Sequence, residues 1–118
     1  MERATSLLLL AFLSLLAVSS MAQAQLFRAY VASYGNDGNP CTVTTPCRLL
    51  PAALNAVAPG GEIWMLDSAN FNLGTVDIAK SVSILAVPGA VGSIVAVAGN
   101  PAITIQTSGV DVTLRNVV

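Results

Sequence analysis

The 118-residue chain contains no histidine and only two cysteines. Without histidine it lacks the general base of Ser-His-Asp and Cys-His catalytic arrangements, and it lacks the imidazole ligands common at zinc sites. Two thiolates alone make a poor metal site. We therefore expect no bound metal, no cofactor and no catalytic nucleophile of these classes.

Charged residues are scarce as well. They make up 9% of the chain, five basic and six acidic, with a formal net charge of −1. With no basic patch to neutralise phosphates, the sequence predicts no nucleic-acid partner. Hydrophobic residues reach 54%, which is too many for a disordered chain and is typical of strands buried on one or both faces.

Residues 1–24 show the three parts of an export signal. Arg3 supplies a positive start, residues 7–18 form an apolar run, and a small-x-small site ends at Ala24. Cleavage there would leave Gln25 as the mature N-terminus. The alternative is a retained membrane anchor, but a span needs about 20 apolar residues. We therefore expect no stable membrane insertion after cleavage, and a secreted, periplasmic or cell-surface location.

The two cysteines, Cys41 and Cys47, lie six positions apart. In an exported protein this spacing favours a local structural disulfide and excludes a CxxC redox motif. Closing so short a loop contributes about 2 kcal/mol to the free energy of unfolding in the chain-entropy model.

The polar cluster of Asn36, Asp37 and Asn39 precedes Pro40. Calcium binding is one interpretation, but the spacing does not match an EF-hand loop and no bidentate glutamate follows. The same residue types favour tight turns for backbone reasons. We therefore interpret the cluster as a turn.

One helix is predicted over residues 50–58. Leu50, Leu54 and Val57 recur at helical spacing, and Pro51 fits the first turn. Pro59, followed by two glycines, would end the helix. The remaining regular segments are predicted as short strands, over residues 26–32, 62–66, 75–78, 81–86, 93–98, 102–106 and 110–114.

A weak internal repeat relates these strands. The patterns at residues 76–78 and 82–84 recur at 103–105 and 110–114, at offsets of 103 − 76 = 27 and 110 − 82 = 28. Alternating apolar and polar residues in a repeating coil of short strands favour an all-β, right-handed parallel β-helix with one N-terminal capping helix. A β-sandwich is the alternative, but its hairpins favour two-residue Asn-Gly or Asp-Gly loops that these gaps lack.

The stretch from Tyr30 to Asp67 resembles the N-terminal segment of secreted bacterial proteins of the pectate-lyase-like, right-handed β-helix superfamily. The resemblance covers about a third of the chain. The matching residues are Tyr30, Val31, Gly35, Asp37, Asn39, Pro40, Thr42, Pro46, Ala53, Leu54, Pro59, Gly60 and Ile63. Cys41 stands where the family pattern often has glycine, and Cys47 where it often has an aromatic residue.

The resemblance implies that the helix covers the open end of a solenoid, and that the full-length protein binds or processes extracellular polysaccharide. In lyases of this family the calcium ligands and the basic catalytic residue lie on later coils. No catalytic residue is therefore carried over to this chain. A non-enzymatic cell-surface or adhesion-type solenoid is the alternative function, and whether the protein is an enzyme stays open.

The expected organisation is a signal peptide at 1–24, a cap at 25–61 and the first β-helix coils at 62–118. About two coils are fewer than the roughly three repeats that a stacked core needs. We therefore expect the pattern to continue past Val118, and the open C-terminal end to present an edge for self-association. A short natural protein that dimerises through this edge is the alternative.

The acidic residues Asp67, Asp77 and Asp111 fall in or beside predicted strands. Isolated surface acids have no partner to shift their pKa, so we assign none of them to catalysis. Trp64 should point away from Ile63 and Met65 because side chains alternate along a strand. We interpret it as a buried or half-buried core aromatic rather than a sugar-stacking platform.

Mass spectrometry of the exported protein tests the signal peptide. We expect the mature chain to begin at Gln25, because the small-x-small site ending at Ala24 fits signal peptidase. An intact N-terminus at Met1 would contradict cleavage.

Overall fold

The structure, a computed structural model, describes residues 25–118. The predicted signal peptide and its cleavage site after Ala24 lie outside these residues. Seven regular elements follow one another along the chain: β1 (Leu26–Val31), α1 (Leu50–Ala56), β2 (Val57–Met65), β3 (Val76–Asp77), β4 (Val82–Ala86), β5 (Ile103–Thr104) and β6 (Val112–Arg115).

The strands form two parallel sheets. The larger has the order β1-β2-β4-β6, and the smaller pairs β3 with β5. In the larger sheet Ile63 of β2 lies opposite Ile84 of β4, which lies opposite Leu114 of β6. Since parallel partners point to the same face, apolar residues stack on one inner face of this sheet.

The predicted fold class, an all-β right-handed parallel β-helix, is wrong. The structure is mixed α/β, with a mostly parallel sheet and one helix, and residues 25–118 show no solenoid. The helix contributes Leu50, Ala53 and Leu54 to the core that it shares with the strands. The segment 93–98, predicted as a strand, forms only an isolated bridge at Ser93. The internal repeat predicted parallel pairing correctly, but it did not specify how the paired strands are closed into a core.

The internal repeat predicts the observed register between β3 and β5 but not the register between β4 and β6. Val76 lies opposite Ile103, the expected offset of 103 − 76 = 27. Val82 lies opposite Val112, at 112 − 82 = 30 rather than 28. A shift of two residues keeps every side chain on its expected face. The periodicity therefore predicted the buried face but not the register.

Phe71 is the largest fully buried side chain of the core that the strands and the helix share. Its neighbour Asn72 is the one buried polar residue of the described chain. The Asn72 side chain bonds like a peptide group, accepting from the N–H of Val95 at 2.8 Å and donating to the carbonyls of Val95 and Gly74 at 2.8 and 2.9 Å. These bonds connect two loops and satisfy the buried amide.

Helix α1 is held at its C-terminal end by a residue distant in sequence. Pro51 lies in the first turn, where a missing N–H breaks no helical bond. At the other end Lys80 donates from Nζ to the carbonyls of Leu54 (2.7 Å) and Val57 (2.9 Å). A cation at a helix C-terminus satisfies the unpaired carbonyls and complements the helix dipole. The helix ends at Ala56, two residues earlier than predicted, and no helix of residues 25–118 is long and apolar enough to cross a bilayer.

The predicted disulfide between Cys41 and Cys47 is confirmed, with a Cα–Cα distance of 4.7 Å. The loop that it closes covers the outer edge of β1. Tyr30 donates to the Cys41 carbonyl and accepts from the Cys47 N–H, both at 2.9 Å. Cys41 has a φ of 64°, in the left-handed region that favours glycine. The disulfide loop therefore supplies the backbone partners that this edge would otherwise lack.

At Gly35 the chain after β1 passes close to the disulfide loop. A Cβ at this position would lie 2.1 Å from the Cys47 carbonyl oxygen. We expect Gly35→Ala to lower the free energy of unfolding by about 2–4 kcal/mol, because the clash is with backbone that the disulfide holds in place.

Gly74→Ala is the matched control. A Cβ at Gly74 would meet nothing within 4 Å, so its effect should stay within about 0.5 kcal/mol. Urea unfolding of both variants measures the difference, and equal stabilities would contradict the close approach.

Candidate functional site

The outer face of the four-stranded sheet carries polar and aromatic side chains, with one leucine, in register. Eight residues share this outer face: Arg28, Tyr30, Glu62, Trp64, Ser83, Leu85, Thr113 and Arg115. They alternate with buried residues such as Ile63 and Ile84 and are half-buried or exposed themselves. The parallel register arranges them in two rows, one running from Arg28 to Thr113 and the other from Tyr30 to Arg115.

Four of these side chains form a cluster on β1 and β2. The Glu62 carboxylate accepts from Arg28 Nη2 at 3.3 Å and from the Trp64 indole N–H at 2.8 Å. The Arg28 guanidinium lies over the Trp64 ring, 3.9 Å from its centroid. Tyr30 meets the same ring edge-on, with centroids 6.2 Å apart. Because each contact restricts the next, the cluster fixes the orientation of Glu62.

Glu62 is held in its ionised form. The hydrogen bond from Trp64 is the largest cause that lowers the pKa of Glu62, and the hydrogen bond and charge of Arg28 lower it further against partial burial. A carboxylate with a lowered pKa is a good hydrogen-bond acceptor but a poor general acid at neutral pH.

Beside this cluster lies a groove of about 300 Å³. Residues of all four strands and of the β1–β2 bulge line the groove: Phe27, Gly60, Glu62, Ser83, Ile84, Leu85, Thr113 and Arg115. The Phe27 side chain is 65% exposed, an unusual position for a phenylalanine. The groove thus combines an exposed ring with a carboxylate, two hydroxyl groups and an exposed guanidinium.

The acidic residues singled out in the sequence lie elsewhere and do not come together. Asp67 accepts from the backbone and side chain of Ser33, and Asp77 accepts from the Thr104 hydroxyl. Asp111 is exposed just before β6. Residues 25–118 contain no group of three or more acidic or cysteine side chains that could hold a metal ion.

The side chains of the turn residues before the disulfide form hydrogen bonds with backbone groups. Asn36 Oδ1 accepts from the Gly38 N–H, and Asp37 Oδ1 accepts from two N–H groups at the entrance to α1. Asn39 donates to the Pro46 carbonyl at 3.0 Å. These bonds are those expected of a turn, and they support that interpretation over a calcium loop.

Sequence reasoning missed the groove and the Glu62 cluster. Arg28 and Glu62 are 34 residues apart, so nothing local predicts their contact. The available signal was alternation, because Arg28 and Tyr30, then Glu62 and Trp64, occupy the non-apolar positions of their strands. Trp64 does point away from Ile63 and Met65, and it is half-buried on the outer face rather than in the core.

No family model, curated protein or solved structure matches this chain. The resemblance to the pectate-lyase-like superfamily therefore stays a prediction.

The lowered pKa of Glu62 predicts a pH-dependent contribution to stability. A carboxylate whose pKa is lower in the folded than in the unfolded state stabilises the fold above the unfolded pKa, about 4.3. This contribution is lost as the pH falls through the folded pKa. We expect Glu62→Gln to be less stable than the wild type at pH 7, and the difference to vanish below both pKa values.

Urea unfolding between pH 7 and acidic pH measures this effect. Trp64→Phe, which removes the indole N–H that donates to Glu62 but keeps an aromatic ring, should show a pH dependence between those of the wild type and Glu62→Gln. A difference between wild type and Glu62→Gln that does not change with pH would contradict the assignment.

Proposed function

We propose that the outer-face groove binds a residue of an extracellular polysaccharide chain without cleaving it. The observation that carries the proposal is the composition of the groove, in which the exposed Phe27 ring lies on the same surface as Glu62, Ser83, Thr113 and Arg115. This combination fits the two kinds of surface that a sugar ring presents.

A pyranose ring has an apolar C–H face and a rim of hydroxyl groups. An exposed aromatic ring such as Phe27 can cover the apolar face. The ionised Glu62 carboxylate accepts from sugar hydroxyls, while Ser83 and Thr113 can both donate and accept. Pockets that bind small ligands combine apolar walls with a few fixed polar groups in this way.

The position of the groove on a sheet supports binding of a chain. Its polar residues come from neighbouring strands in register, so their spacing is fixed by backbone pairing rather than by a mobile loop. With a volume at the lower end for ligand pockets, the groove suits one sugar residue and leaves the rest of the chain outside.

Binding is favoured over cleavage by the state of Glu62. Glycoside hydrolysis requires two carboxyl groups on either side of the scissile bond, one of them protonated as the acid. Glu62 is the single carboxylate that lines the groove within residues 25–118, and its lowered pKa keeps it ionised.

The proposal places this binding outside the cytoplasm, in a secreted, periplasmic or cell-surface protein. The Cys41–Cys47 disulfide is compatible with an oxidising compartment. Export through residues 1–24 stays a prediction.

The groove is tested by affinity electrophoresis of the exported protein in gels that contain one polysaccharide each. Polygalacturonate and alginate serve as acidic probes, and xylan and hydroxyethylcellulose as neutral ones. We expect retardation by at least one probe. Phe27→Ala, which removes the ring, and Ser83→Leu, which fills the groove, should each weaken the affinity for that polysaccharide at least about tenfold. This change is equivalent to about 1.4 kcal/mol.

Leu73→Ala is the matched control, because Leu73 is an apolar residue that is 80% exposed and does not line the groove. Its retardation should equal that of the wild type. If only the acidic polysaccharides retard the protein, Arg115 is assigned to the recognition of a uronate carboxylate. Absence of retardation by all four probes, or retardation that both groove variants leave unchanged, would overturn the proposal.

A further inference from the structure

The two edges of the four-stranded sheet differ in whether their outer backbone groups are hydrogen-bonded. At one edge, the disulfide loop bonds to the backbone of β1 through Cys41 and Cys47. At the other edge, β6 is bonded to β4 and has no further strand beside it within residues 25–118. Open edges readily accept another strand, and natural proteins commonly protect them.

The hydrogen-bonding pattern identifies which groups of β6 are open. The Val82 N–H donates to the Asp111 carbonyl at 3.1 Å. In a parallel ladder this directs the backbone groups of Thr113 and Arg115 towards β4. The N–H and C=O groups of Val112 and Leu114 therefore face away from the sheet.

The side chains of this edge are self-complementary in one register. If two copies of β6 run antiparallel about a two-fold axis at Thr113, Asp111 of one copy lies opposite Arg115 of the other. Val112 then lies opposite Leu114, and the two Thr113 side chains meet at the axis. Opposite charges and matched apolar pairs directly across an antiparallel ladder stabilise it.

The same register satisfies the open backbone groups. Val112 and Leu114 of opposite copies form the hydrogen-bonded pairs, which make four N–H to C=O bonds, and Thr113 forms the closer non-hydrogen-bonded pair. Residues that lie opposite each other in this register are also on the same face of the sheet. Asp111, Thr113 and Arg115 lie on the outer face, whereas Val112 and Leu114 lie on the inner face beside the buried Val82 and Ile84.

From this complementarity we infer that a second copy of this chain docks on β6, forming a two-fold dimer with a continuous eight-stranded sheet. The partner is identified by charge. Asp111 and Arg115 are exposed, and the one ion pair among residues 25–118 joins Arg28 to Glu62 instead. Leu114, which is 45% exposed, gains an apolar neighbour. A two-fold axis uses both edges at once, so the assembly closes at two copies.

Charge reversal tests the register. Sedimentation velocity of the exported protein is measured from about 10 μM to about 1 mM, the range suited to a small interface. We expect a monomer–dimer equilibrium. Asp111→Arg and Arg115→Asp place like charges opposite each other, so each should raise the dimer dissociation constant at least about tenfold.

The double variant D111R/R115D restores both pairs with reversed sign and has the same net charge as the wild type. Its dissociation constant should return to within about threefold of the wild-type value, since the two sites couple across the interface. Thermal unfolding confirms that each variant is folded. Four outcomes would overturn the dimer: a monomeric wild type, assembly beyond two copies, single variants without effect, or a double variant without recovery.

A cysteine cross-link tests the register independently of charge. Opposed non-hydrogen-bonded residues have Cα atoms about 4.5 Å apart, which a disulfide can span. Thr113→Cys should therefore give a covalent dimer under a mild oxidant such as oxidised glutathione. Thr107→Cys, also exposed but in the loop before β6, is the control. Equal cross-linking of the two variants would contradict the two-fold register.

Discussion

The structure depends on the parallel register of β2 with its two neighbours, β1 and β4. This register places Ala29, Ile63 and Ile84 in one line on the inner face, all of them fully buried. A displacement by one residue would move each of these apolar side chains to the outer face. The core, the groove and the edge of β6 all follow from the same alternation, because each strand has one face for packing and one for solvent.

The smaller contacts keep the connections compatible with this register. Lys80 holds the end of α1 where the chain enters β2, and Asn72 joins two loops by amide hydrogen bonds. The disulfide loop occupies the edge of β1 and fixes the start of the sheet. Each of these contacts satisfies backbone groups that would otherwise be unpaired, which matters because a buried unpaired group costs about 1–3 kcal/mol.

The proposed binding surface on the outer face depends on fixed polar side chains of neighbouring strands. Glu62 is oriented and kept ionised by Trp64 and Arg28, so it is fixed as an acceptor. The groove beside it and the open edge of β6 share Thr113 and Arg115. A two-fold dimer through β6 would therefore place two grooves side by side on one continuous surface, which suits a repeating ligand.

The sequence by itself determined the local features of the described chain. The Cys41–Cys47 pairing follows from spacing and from the predicted compartment, and the start of α1 follows from Pro51 and the apolar stripe at Leu50 and Leu54. Most strands also follow from alternation, which depends only on neighbouring residues. The segment 93–98 is the exception, because its apolar residues suggested a strand although it forms no strand and has an isolated bridge at Ser93.

Only the tertiary structure decided the architecture and the candidate site. The repeat suggested a β-helix, yet the chain forms a mixed α/β core to which α1 contributes buried residues, and Val82 pairs with Val112 rather than Val110. The salt bridge between Arg28 and Glu62 joins residues 34 positions apart. Alternation has a period of two, so it determines the face on which a side chain lies but leaves open which strand lies beside it, and that depends on how the whole chain packs.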